Sequence, residues 1–337
     1  MASPQRTEVN NFRRGVNSVH APLAVNHVLS TGLLDSIIFD DIIMRLASRA
    51  GARFEFHRSV SPLPKMDVYH YHRANRESRL KHPAVVTVHH DPDDPYFWLR
   101  LRRFLPRWRE ADVVICINNA HQRRLQAEGI QNTMVIPHGV DRSVLPVPGE
   151  PRRRRPGEPL RLGIVSRRHK RGFKGEDRMH ALFDRLNPEH FAFTIVGADR
   201  DTEAVAAHRK GFEVSFHPRL PYGLFGALYG RIDMLVILSY WEAGPACLPE
   251  ALGSGIPVAT TGVGMAYDLV QDGINGILLT GDADCDAATL SDLAESTDDM
   301  GRLMDGAFAT AGEIPSWDAI IARHFEVYRA LAEGGQV

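Results

Sequence analysis

The run DMLVILSYWEAGPACLPEALGSGIPVATT, residues 233 to 261, decides the fold. An apolar strand pattern, DMLVILS, leads into a turn rich in glycine and proline, and a second strand pattern, PVATT, closes the run. Between them we expect a helix from about Ala246 to Gly253, with Pro249 tolerated in its first turn. In open α/β sheets ligands bind at such loops, beyond the carboxyl ends of the strands. The two acids of this turn, Glu242 and Glu250, are therefore candidate ligand-binding residues.

The same alternation of strand and helix patterns extends along the chain from about residue 36, which predicts parallel sheets of the α/β class. In the first half the strand patterns are ARFEF, MDVYHYH, AVVTVHH, DVVICI and TMVIP. In the second half they are LRLGIVS, FAFTIVG, VSFHP, DMLVILS, PVATT and NGILLT. The first 35 residues show no clear periodic pattern, although VNSVHAPLAVNHVLSTG could hold a first strand.

Length and composition predict two domains. The chain has 337 residues, 44% of them hydrophobic, which is enough for two domains of about 150 residues each. Residues 144–159, VLPVPGEPRRRRPGEP, are dense in proline, glycine and charge, so we expect a solvated linker there. This places an N-terminal domain at residues 1–143 and a C-terminal domain at 160–312. The closing residues, 313–337, carry a helical apolar stripe that must pack on a neighbour.

Charge and cysteine usage exclude several classes of protein. With 40 basic and 41 acidic residues the net charge is −1, which argues against nucleic acid as a partner. The three cysteines, Cys116, Cys247 and Cys285, are far apart and form no CxxC pair, so neither a zinc site nor a disulfide scaffold is expected. We see neither a signal-peptide pattern nor an apolar run near the ~20 residues that span a bilayer. We therefore expect a cytoplasmic protein.

A second strand-end loop complements the first. After the strand LRLGIVS comes RRHKRGFKGEDR, whose first eight residues place five basic side chains where a diphosphate would need neutralising. They are Arg167, Arg168, Lys170, Arg171 and Lys174. A solvated basic loop is the alternative interpretation. A basic loop beside a loop with two acids favours a ligand with both phosphates and hydroxyls, such as a nucleotide sugar.

Here the sequence resembles a known family. Residues 222–279 are similar to the donor-binding half of retaining GT-B glycosyltransferases, in particular glycosyltransferase family 4. The matching elements are an aspartate before an apolar strand, Ser-x-x-Glu, a second glutamate, a Gly-x-Pro-Val strand and an Asp-Gly-x-Asn-Gly turn. The resemblance also includes IPHGVD at 136–141. It implies a GT-B fold, two Rossmann-like βαβ domains facing a central cleft, in which a closing helix crosses back to the N-terminal domain.

The resemblance also implies roles for individual donor-binding residues. Glu242 would contact hydroxyls of the donor sugar, and Glu250 the ribose diol. Lys174 would bind the diphosphate, with Arg167, Arg168 or Arg171 as its partner. Backbone amides would bind the sugar and the distal phosphate along Gly244, Pro245, Ala246, Cys247 and Leu248.

For the first domain the resemblance implies less. His89 falls where the family places a histidine near the donor sugar, and His90 is the alternative. The family's glycine-rich loop near the N-terminus has no clear match, so Gly15 is a candidate only, and Gly15 and His90 are the candidates for acceptor binding. His138 stands where asparagine is usual. His70 and His72 share a strand face but lack a carboxylate or cysteine to complete a metal site, so we expect strand-end contacts to a substrate.

The expected activity is that of a hexosyltransferase-type glycosyltransferase. A nucleotide-sugar donor gives its sugar to a hydroxyl-bearing acceptor by same-face attack, so that the anomeric configuration is retained. No cofactor is expected. No metal is expected either, because Lys174 and an arginine neutralise the leaving diphosphate. One alternative is metal-dependent transfer at Asp91-Pro-Asp93 or at Asp282-Ala-Asp284-Cys-Asp286. Another is an inactive sugar-nucleotide sensor or scaffold. The run FWLRLRRFLPRWREAD, residues 97–112, could also lie on an anionic membrane at its inner face.

Overall fold

The computed structural model describes residues 21–29 and 37–335. Gly15 lies outside the described residues. The described residues contain two six-stranded parallel sheets, one in each half of the chain. This confirms the predicted α/β class with two Rossmann-like domains.

The first sheet has the strand order β2-β1-β3-β4-β5-β6. Its strands are β1 Leu23–Val28, β2 Phe54–Ser59, β3 Val68–Tyr71, β4 Ala84–Val88, β5 Val113–Cys116 and β6 Thr133–Val135. Its helices are α1 Ile37–Arg49, α2 Leu105–Glu110 and α3 Asn119–Ala127. The five apolar strand patterns of the first half all form strands. β3, β4 and β5 are buried along their whole length, as central strands of a parallel sheet are, whereas the edge strands β2 and β6 are only partly buried. The order brings β1, β3 and β4 side by side, so their carboxyl ends meet at one edge.

The second sheet has the order β12-β11-β10-β7-β8-β9. Its strands are β7 Leu160–Val165, β8 Phe191–Val196, β9 Glu213–His217, β10 Met234–Ile237, β11 Val258–Thr261 and β12 Gly276–Leu279. Its helices are α4 Glu176–Phe183, α5 Asp201–Arg209, α6 Phe225–Tyr229, α7 Cys247–Gly253, α8 Ala266–Leu269, α9 Ala283–Glu295 and α10 Thr297–Thr310. Because β7 and β10 are neighbours, the loops that follow them lie next to each other at the carboxyl edge.

The last helix, α11 Trp317–Ala332, packs on the first sheet. Its Trp317, Ile320 and Tyr328 belong to the same buried core as Val25 of β1 and Ile115 of β5. Ser316 accepts a hydrogen bond from the Ala319 amide and so caps the helix start. The apolar stripe recognised in the sequence is thus the face that this helix buries.

Residues 144–159 do not form a solvated linker throughout. Arg152 donates to the Tyr229 carbonyl at 3.2 Å and lies 3.3 Å from the buried carboxylate of Asp233. Arg154 donates to the Ala294 carbonyl at 2.5 Å. Arg155, in contrast, is exposed. The arginine run therefore attaches the segment to the second domain, because carbonyls at helix ends accept well from guanidinium groups.

Polar contacts between described residues join the two domains near the edge of the cleft. The Asn118 side chain donates to the Ala243 carbonyl at 2.8 Å, and the Asn119 amide donates to Asp268 at 2.8 Å. Arg171 donates to Asp94 at 2.5 Å. These contacts place the loop after β10 against the first domain. No helix of the described residues is long and apolar enough to cross a membrane.

Candidate active site

The loops after β7 and β10 enclose a pocket on the second domain. Its polar lining comes from Ser166, Lys174, Ser239 and Glu242, and it continues to Pro245 and Cys247 at the start of α7. The pocket lies beyond the carboxyl ends of the strands, where ligands bind in open α/β sheets. The acidic turn and the basic loop therefore meet at this pocket through Glu242 and Lys174.

Lys174 and Glu242 form an ion pair at the centre of this pocket. Their side chains are only 17% and 10% exposed. Ser239, at the end of β10, donates a second hydrogen bond to the same carboxylate oxygen at 3.0 Å. The ammonium group has three donors, so it can bind a phosphate oxygen without leaving Glu242. The other carboxylate oxygen of Glu242 makes no hydrogen bond within the described residues and can accept from a hydroxyl.

Two glycines allow this close approach of the loops. Gly175 has a φ of 75°, and a Cβ there would lie 2.1 Å from the Leu238 carbonyl oxygen. A Cβ on Gly244 would lie 2.6 Å from Ile117 Cγ2 of the first domain. Any side chain at either position would push Lys174 and Glu242 apart or force the domains open.

Glu250 occupies a separate, buried position inside α7. Its side chain accepts a hydrogen bond from the Tyr229 hydroxyl at 3.0 Å, and the residue is 7% exposed. Burial raises the pKa of Glu250 to about 7, because the charged carboxylate loses its hydration. The sequence gives no sign of Tyr229 as a partner, since tyrosines in an apolar helix are usually core residues. Glu250 is thus near its titration point at neutral pH.

The basic loop is held in place by buried ion pairs. Arg168 donates through Nε to Glu203 at 2.9 Å, and the carboxylate of Glu203 is fully buried. Arg200, itself fully buried, lies 3.6 Å from Glu203 and 3.7 Å from Glu176. Arg200 also donates to the Ser166 carbonyl at 2.9 Å, which fixes the end of β7. The guanidinium of Arg168 therefore already pairs with Glu203, so that only its remaining N–H groups can bind a ligand.

The other two candidate arginines differ from Arg168. Arg167 is exposed and lies 4.0 Å from Asp199, so its guanidinium is free to turn toward a ligand. Arg171 reaches Asp94 across the cleft and stacks 4.2 Å above the Tyr96 ring. The identity of the arginine that accompanies Lys174 remains a prediction with three candidates.

The side chains of His89 and His90 contact different parts of the first domain. His89 contacts His72 through its Nε2 at 2.8 Å, whereas the ring of His90 packs 4.3 Å from the ring of Phe104. Burial lowers the pKa of His90 to about 3 and holds the pKa of His89 well below its ordinary value. Both rings are therefore neutral at pH 7. His90 lies under α2, away from His72.

His89 lines a small cavity together with four other histidines. The five are His70, His72, His89, His138 and His324. Ile117 also lines this cavity and faces Gly244 across the domain boundary. The cavity thus lies in the first-domain part of the cleft, next to the turn that carries Glu242. His138 and His324 are buried, and the sequence gives no signal that joins them to the site.

A further histidine, His27 on β1, joins this cluster. In the described part of the chain, ring nitrogens of His27, His70 and His72 lie within 4.8 Å of one another. His70 is already hydrogen-bonded on both sides, to Tyr328 and Thr87 at 2.7 Å each. His27 was missed in the sequence because it lies in the stretch without a periodic pattern.

The two aspartate groups of the metal-dependent alternative have structural roles. Asp91 lies 3.7 Å from His121, and Asp93 accepts from Arg124 at 2.9 Å. Asp282 caps α9 by accepting from the amides of residues 284 and 285. Asp286 accepts from the Thr280 and Gly281 amides. These acids serve loops and helix ends, which favours the capping interpretation over a metal site.

The fold and the site define a GT-B type protein, and comparisons with known proteins identify its family. The family model described as Glycosyltransferase Family 4 matches residues 15–144, and the model described as Glycosyl transferases group 1 matches residues 160–296. The chain belongs to the family 4 type of GT-B glycosyltransferases.

Curated relatives and solved structures agree with this assignment. The chain is 28% identical over 223 residues to a D-inositol 3-phosphate glycosyltransferase of Xylanimonas cellulosilytica, covering 61% of this chain and 53% of the relative. A protein of the same name from Thermomonospora curvata is 34% identical over 116 residues, which are 34% of this chain and 27% of the relative. The chain thus spans about half or less of the curated relatives it matches.

Among solved structures, sucrose-phosphate synthase from Thermosynechococcus elongatus has a TM-score of 0.71 at 15% identity, covering 93% of this chain and 99% of that one. The Anabaena protein Alr3699/HepE, solved with UDP and glucose, has a TM-score of 0.65 at 17% identity, covering 92% and 100%. These neighbours confirm the predicted GT-B fold.

Proposed function

We propose that the chain is a retaining, metal-independent glycosyltransferase that moves a sugar from a nucleotide-diphosphate sugar to a hydroxyl acceptor. The observation that carries the proposal is the Lys174–Glu242 pair in a pocket at the carboxyl ends of β7 and β10. A phosphate and a sugar hydroxyl are the two groups that this pair can bind side by side.

In this proposal each part of the donor has its own contacts. Lys174, with Arg167, Arg168 or Arg171, binds the diphosphate. Glu242 accepts from hydroxyls of the transferred sugar, and Glu250 accepts from the ribose diol in its ionised form. The backbone from Gly244 to Leu248 faces the sugar and distal phosphate, and His89 approaches the sugar from the first domain.

The reaction would break the bond between the anomeric carbon and the phosphate oxygen. The acceptor hydroxyl attacks from the face that the diphosphate leaves, and its proton passes to the departing phosphate oxygen. Lys174 stabilises the negative charge that develops on the leaving group. In this proposal Glu242 is a ligand-binding carboxylate: Lys174 and Ser239 hold one of its oxygens, and the other accepts from a sugar hydroxyl.

The donor base is the first property to test. Because a ligand that binds only the folded state raises its stability by mass action, UDP, GDP, ADP and TDP sugars can be compared by thermal shift and calorimetry. UDP-glucose is the first choice, since HepE was solved with UDP and glucose. The relatives' name adds inositol phosphates to the acceptor panel. A shift that Lys174→Ala and Glu242→Gln abolish supports the site; an unchanged shift in both contradicts it.

Metal independence is tested separately. The chain should keep full activity after exhaustive chelation. Loss of activity that only added Mg²⁺ or Mn²⁺ restores would contradict this part of the proposal and favour the aspartate alternative.

The rival hypothesis is an inactive sugar-nucleotide sensor or scaffold of the same fold. Both hypotheses predict donor binding, so turnover discriminates them. Donor hydrolysis or transfer that disappears in Glu242→Gln, with the fold preserved, favours the enzyme. Tight donor binding without any turnover across the acceptor panel favours the sensor.

We also propose peripheral contact with an anionic membrane through residues 96–98. Tyr96, Phe97 and Trp98 are 43%, 47% and 58% exposed, and Arg103 lies 4.7 Å from the Trp98 ring. Exposed aromatics beside arginines suit an anionic lipid surface. Flotation with anionic vesicles should fail for a Phe97→Ser, Trp98→Ser double variant and persist for Tyr267→Ser, an equally exposed aromatic elsewhere. Equal flotation of both variants would contradict the proposal.

A further inference from the structure

Three histidines form a continuous hydrogen-bonded row across the first sheet. His89, after β4, contacts His72 at 2.8 Å through its Nε2 and the Nδ1 of His72. His72, after β3, contacts His27 of β1 at 3.0 Å through its Nε2 and the Nδ1 of His27. Both distances are those of hydrogen bonds. The row starts at the cleft and ends inside the sheet core, where His27 is fully buried.

A neutral imidazole carries one N–H and one bare nitrogen, and burial keeps the pKa values of all three rings well below the ordinary histidine value. Each contact needs one donor and one acceptor. If His72 donates from Nδ1, then His27 donates to it from Nδ1 and His89 keeps its proton on Nδ1. If His72 donates from Nε2, all three protons are on Nε2. The row therefore has only two consistent states.

The buried end of the row decides between these states. His27 Nε2 is buried without a hydrogen-bond partner in the described part of the chain. In the second state this nitrogen would be an orphaned N–H donor, and in the first it is a bare acceptor. Orphaned buried donors are rarer in proteins than underused acceptors. Among the described residues the rings of His70, Phe56 and Tyr328 lie 5.0, 5.5 and 6.3 Å from the ring of His27, and none of them forms a hydrogen bond with its Nε2. The first state is favoured.

We propose that His27 and His72 are positioning residues that hold His89 in the Nδ1–H tautomer, so that His89 donates a hydrogen bond into the cleft. The acceptor of this bond is an oxygen of the donor sugar, an identification that rests on the proposed function. In this state His89 is a donor and not a base. Its position next to the Glu242 turn follows from Ile117, which lines the histidine cavity and faces Gly244.

A metal ion held by His27, His70 and His72 is a different interpretation of the same cluster. Neutral imidazoles are good ligands for zinc and similar metals. However, the two ring nitrogens of His70 already bond to Tyr328 and Thr87, and His27 and His72 bond to each other. A metal would have to displace two of these bonds, so the hydrogen-bonded row explains the cluster better.

The test is nitrogen NMR of the histidine rings in the full chain without substrate. We expect His27, His72 and His89 all to be protonated on Nδ1. In His72→Phe the bond to His89 is lost, and His89 should move its proton to Nε2, the more common tautomer in free histidine. His72→Asn, whose amide can still donate to His89, should restore Nδ1–H. His70→Phe is the matched control, because His70 is equally buried two residues earlier but bonds to Tyr328 and Thr87, and this variant should leave the His89 tautomer unchanged.

Protonation of the three rings on Nε2, or a His89 tautomer that ignores His72→Phe, would overturn the proposal. A shift of the histidine signals and of the melting temperature on adding Zn²⁺ or Co²⁺ would overturn it in favour of a metal site. Transfer kinetics give the second readout: kcat/KM should fall about tenfold in His72→Phe, as one lost hydrogen bond implies, and largely recover in His72→Asn. If no donor is turned over, the proposed function fails, but the NMR measurement still decides which tautomers His27, His72 and His89 adopt.

Discussion

On the second domain the candidate site is built from charged side chains held in pairs, whereas on the first domain it is built from imidazoles without charge. Lys174 pairs with Glu242, and Arg168 pairs with Glu203. Across the cleft, burial lowers the pKa of His72 to about 3 and that of His138 to about 4. The difference predicts that the charged half of a ligand binds to the second domain and its uncharged half lies between the two. Variants that remove a charge or a neutral group test this comparison.

The largest effect should come from the buried carboxylate of Glu203. Glu203→Ala removes one of the two buried carboxylates beside Arg200, leaving Glu176 at 3.7 Å. It also takes the carboxylate partner from Arg168. Breaking a buried ion pair by removing one partner costs about 3–5 kcal/mol. The free energy of unfolding, from urea or guanidinium titration, should fall by that amount. Glu213→Ala, at an exposed position of β9, is the control and should change it little. A loss below 1 kcal/mol for Glu203→Ala would mean that the basic loop does not depend on this network.

Removing the ammonium group should abolish most of the transfer activity. Lys174→Ala takes away the charge proposed to stabilise the leaving diphosphate, and one such donor is worth about 10²–10³ in kcat. Steady-state kinetics with the donor found by the screen give the measurement. Lys210→Ala removes a lysine that pairs with Asp184 on the surface of the same domain and should keep wild-type rates. Comparable loss in both variants would remove the special role of the second-domain pair.

Donor affinity should rise with pH because of Glu250. Burial raises its pKa to about 7, and only the ionised carboxylate accepts from both ribose hydroxyls. Between pH 6 and pH 8 we therefore expect about a tenfold gain in affinity by calorimetry, with proton release on binding near pH 7. In the unliganded protein the contribution of Glu250 to the free energy of unfolding has the opposite sign: it declines from pH 4.5 to 7, because the folded state holds the extra proton. The buried histidines, whose pKa values are lowered, contribute stability that rises over the same range, so the effect of Glu250 is measured as the difference between the wild-type and Glu250→Gln unfolding profiles. Glu250→Gln should flatten the affinity profile.

The smallest effect should come from the contact between the two domains. Asn118 donates to the Ala243 carbonyl and also caps α3 by accepting from the His121 amide. Asn118→Ser keeps a capping oxygen but loses the cross-domain bond, which should cost about 1 kcal/mol of unfolding free energy. Asn118→Ala loses the cap as well, for about 1 kcal/mol more. Equal losses in the two variants would show that the cross-domain bond contributes nothing.

The sequence predicts the fold well where apolar runs are unbroken. DVVICI and DMLVILS form β5 and β10 because they are buried on both faces. β1 has no such signal, because Asn26 and His27 interrupt LAVNHV although both are fully buried. Their burial depends on partners such as Ser59 and His72, which come from other strands. A local pattern contains no information about such partners.

The sequence also predicts the part of the candidate site that follows neighbouring strands, but not the contacts that come from distant elements. Lys174 and Glu242 follow adjacent strands, so the rule that ligands bind at the carboxyl edge brings them together. The engagement of Arg168 by Glu203 was not predictable, because Glu203 lies on another helix and looks like an ordinary surface acid of an amphipathic segment. The row of histidines was missed for the same reason, since it runs across strands and not along one.

The helix α11 is encoded after the whole second domain, yet it supplies part of the first domain's core. Trp317, Ile320 and Tyr328 pack against the first sheet, and Tyr328 bonds to His70. During synthesis domains generally fold from the N-terminus onward, but here the first sheet keeps an uncovered apolar face until the ribosome has delivered α11. The core of the N-terminal domain therefore depends on a segment that is synthesised last, so that premature termination before residue 317 removes part of the first domain's core.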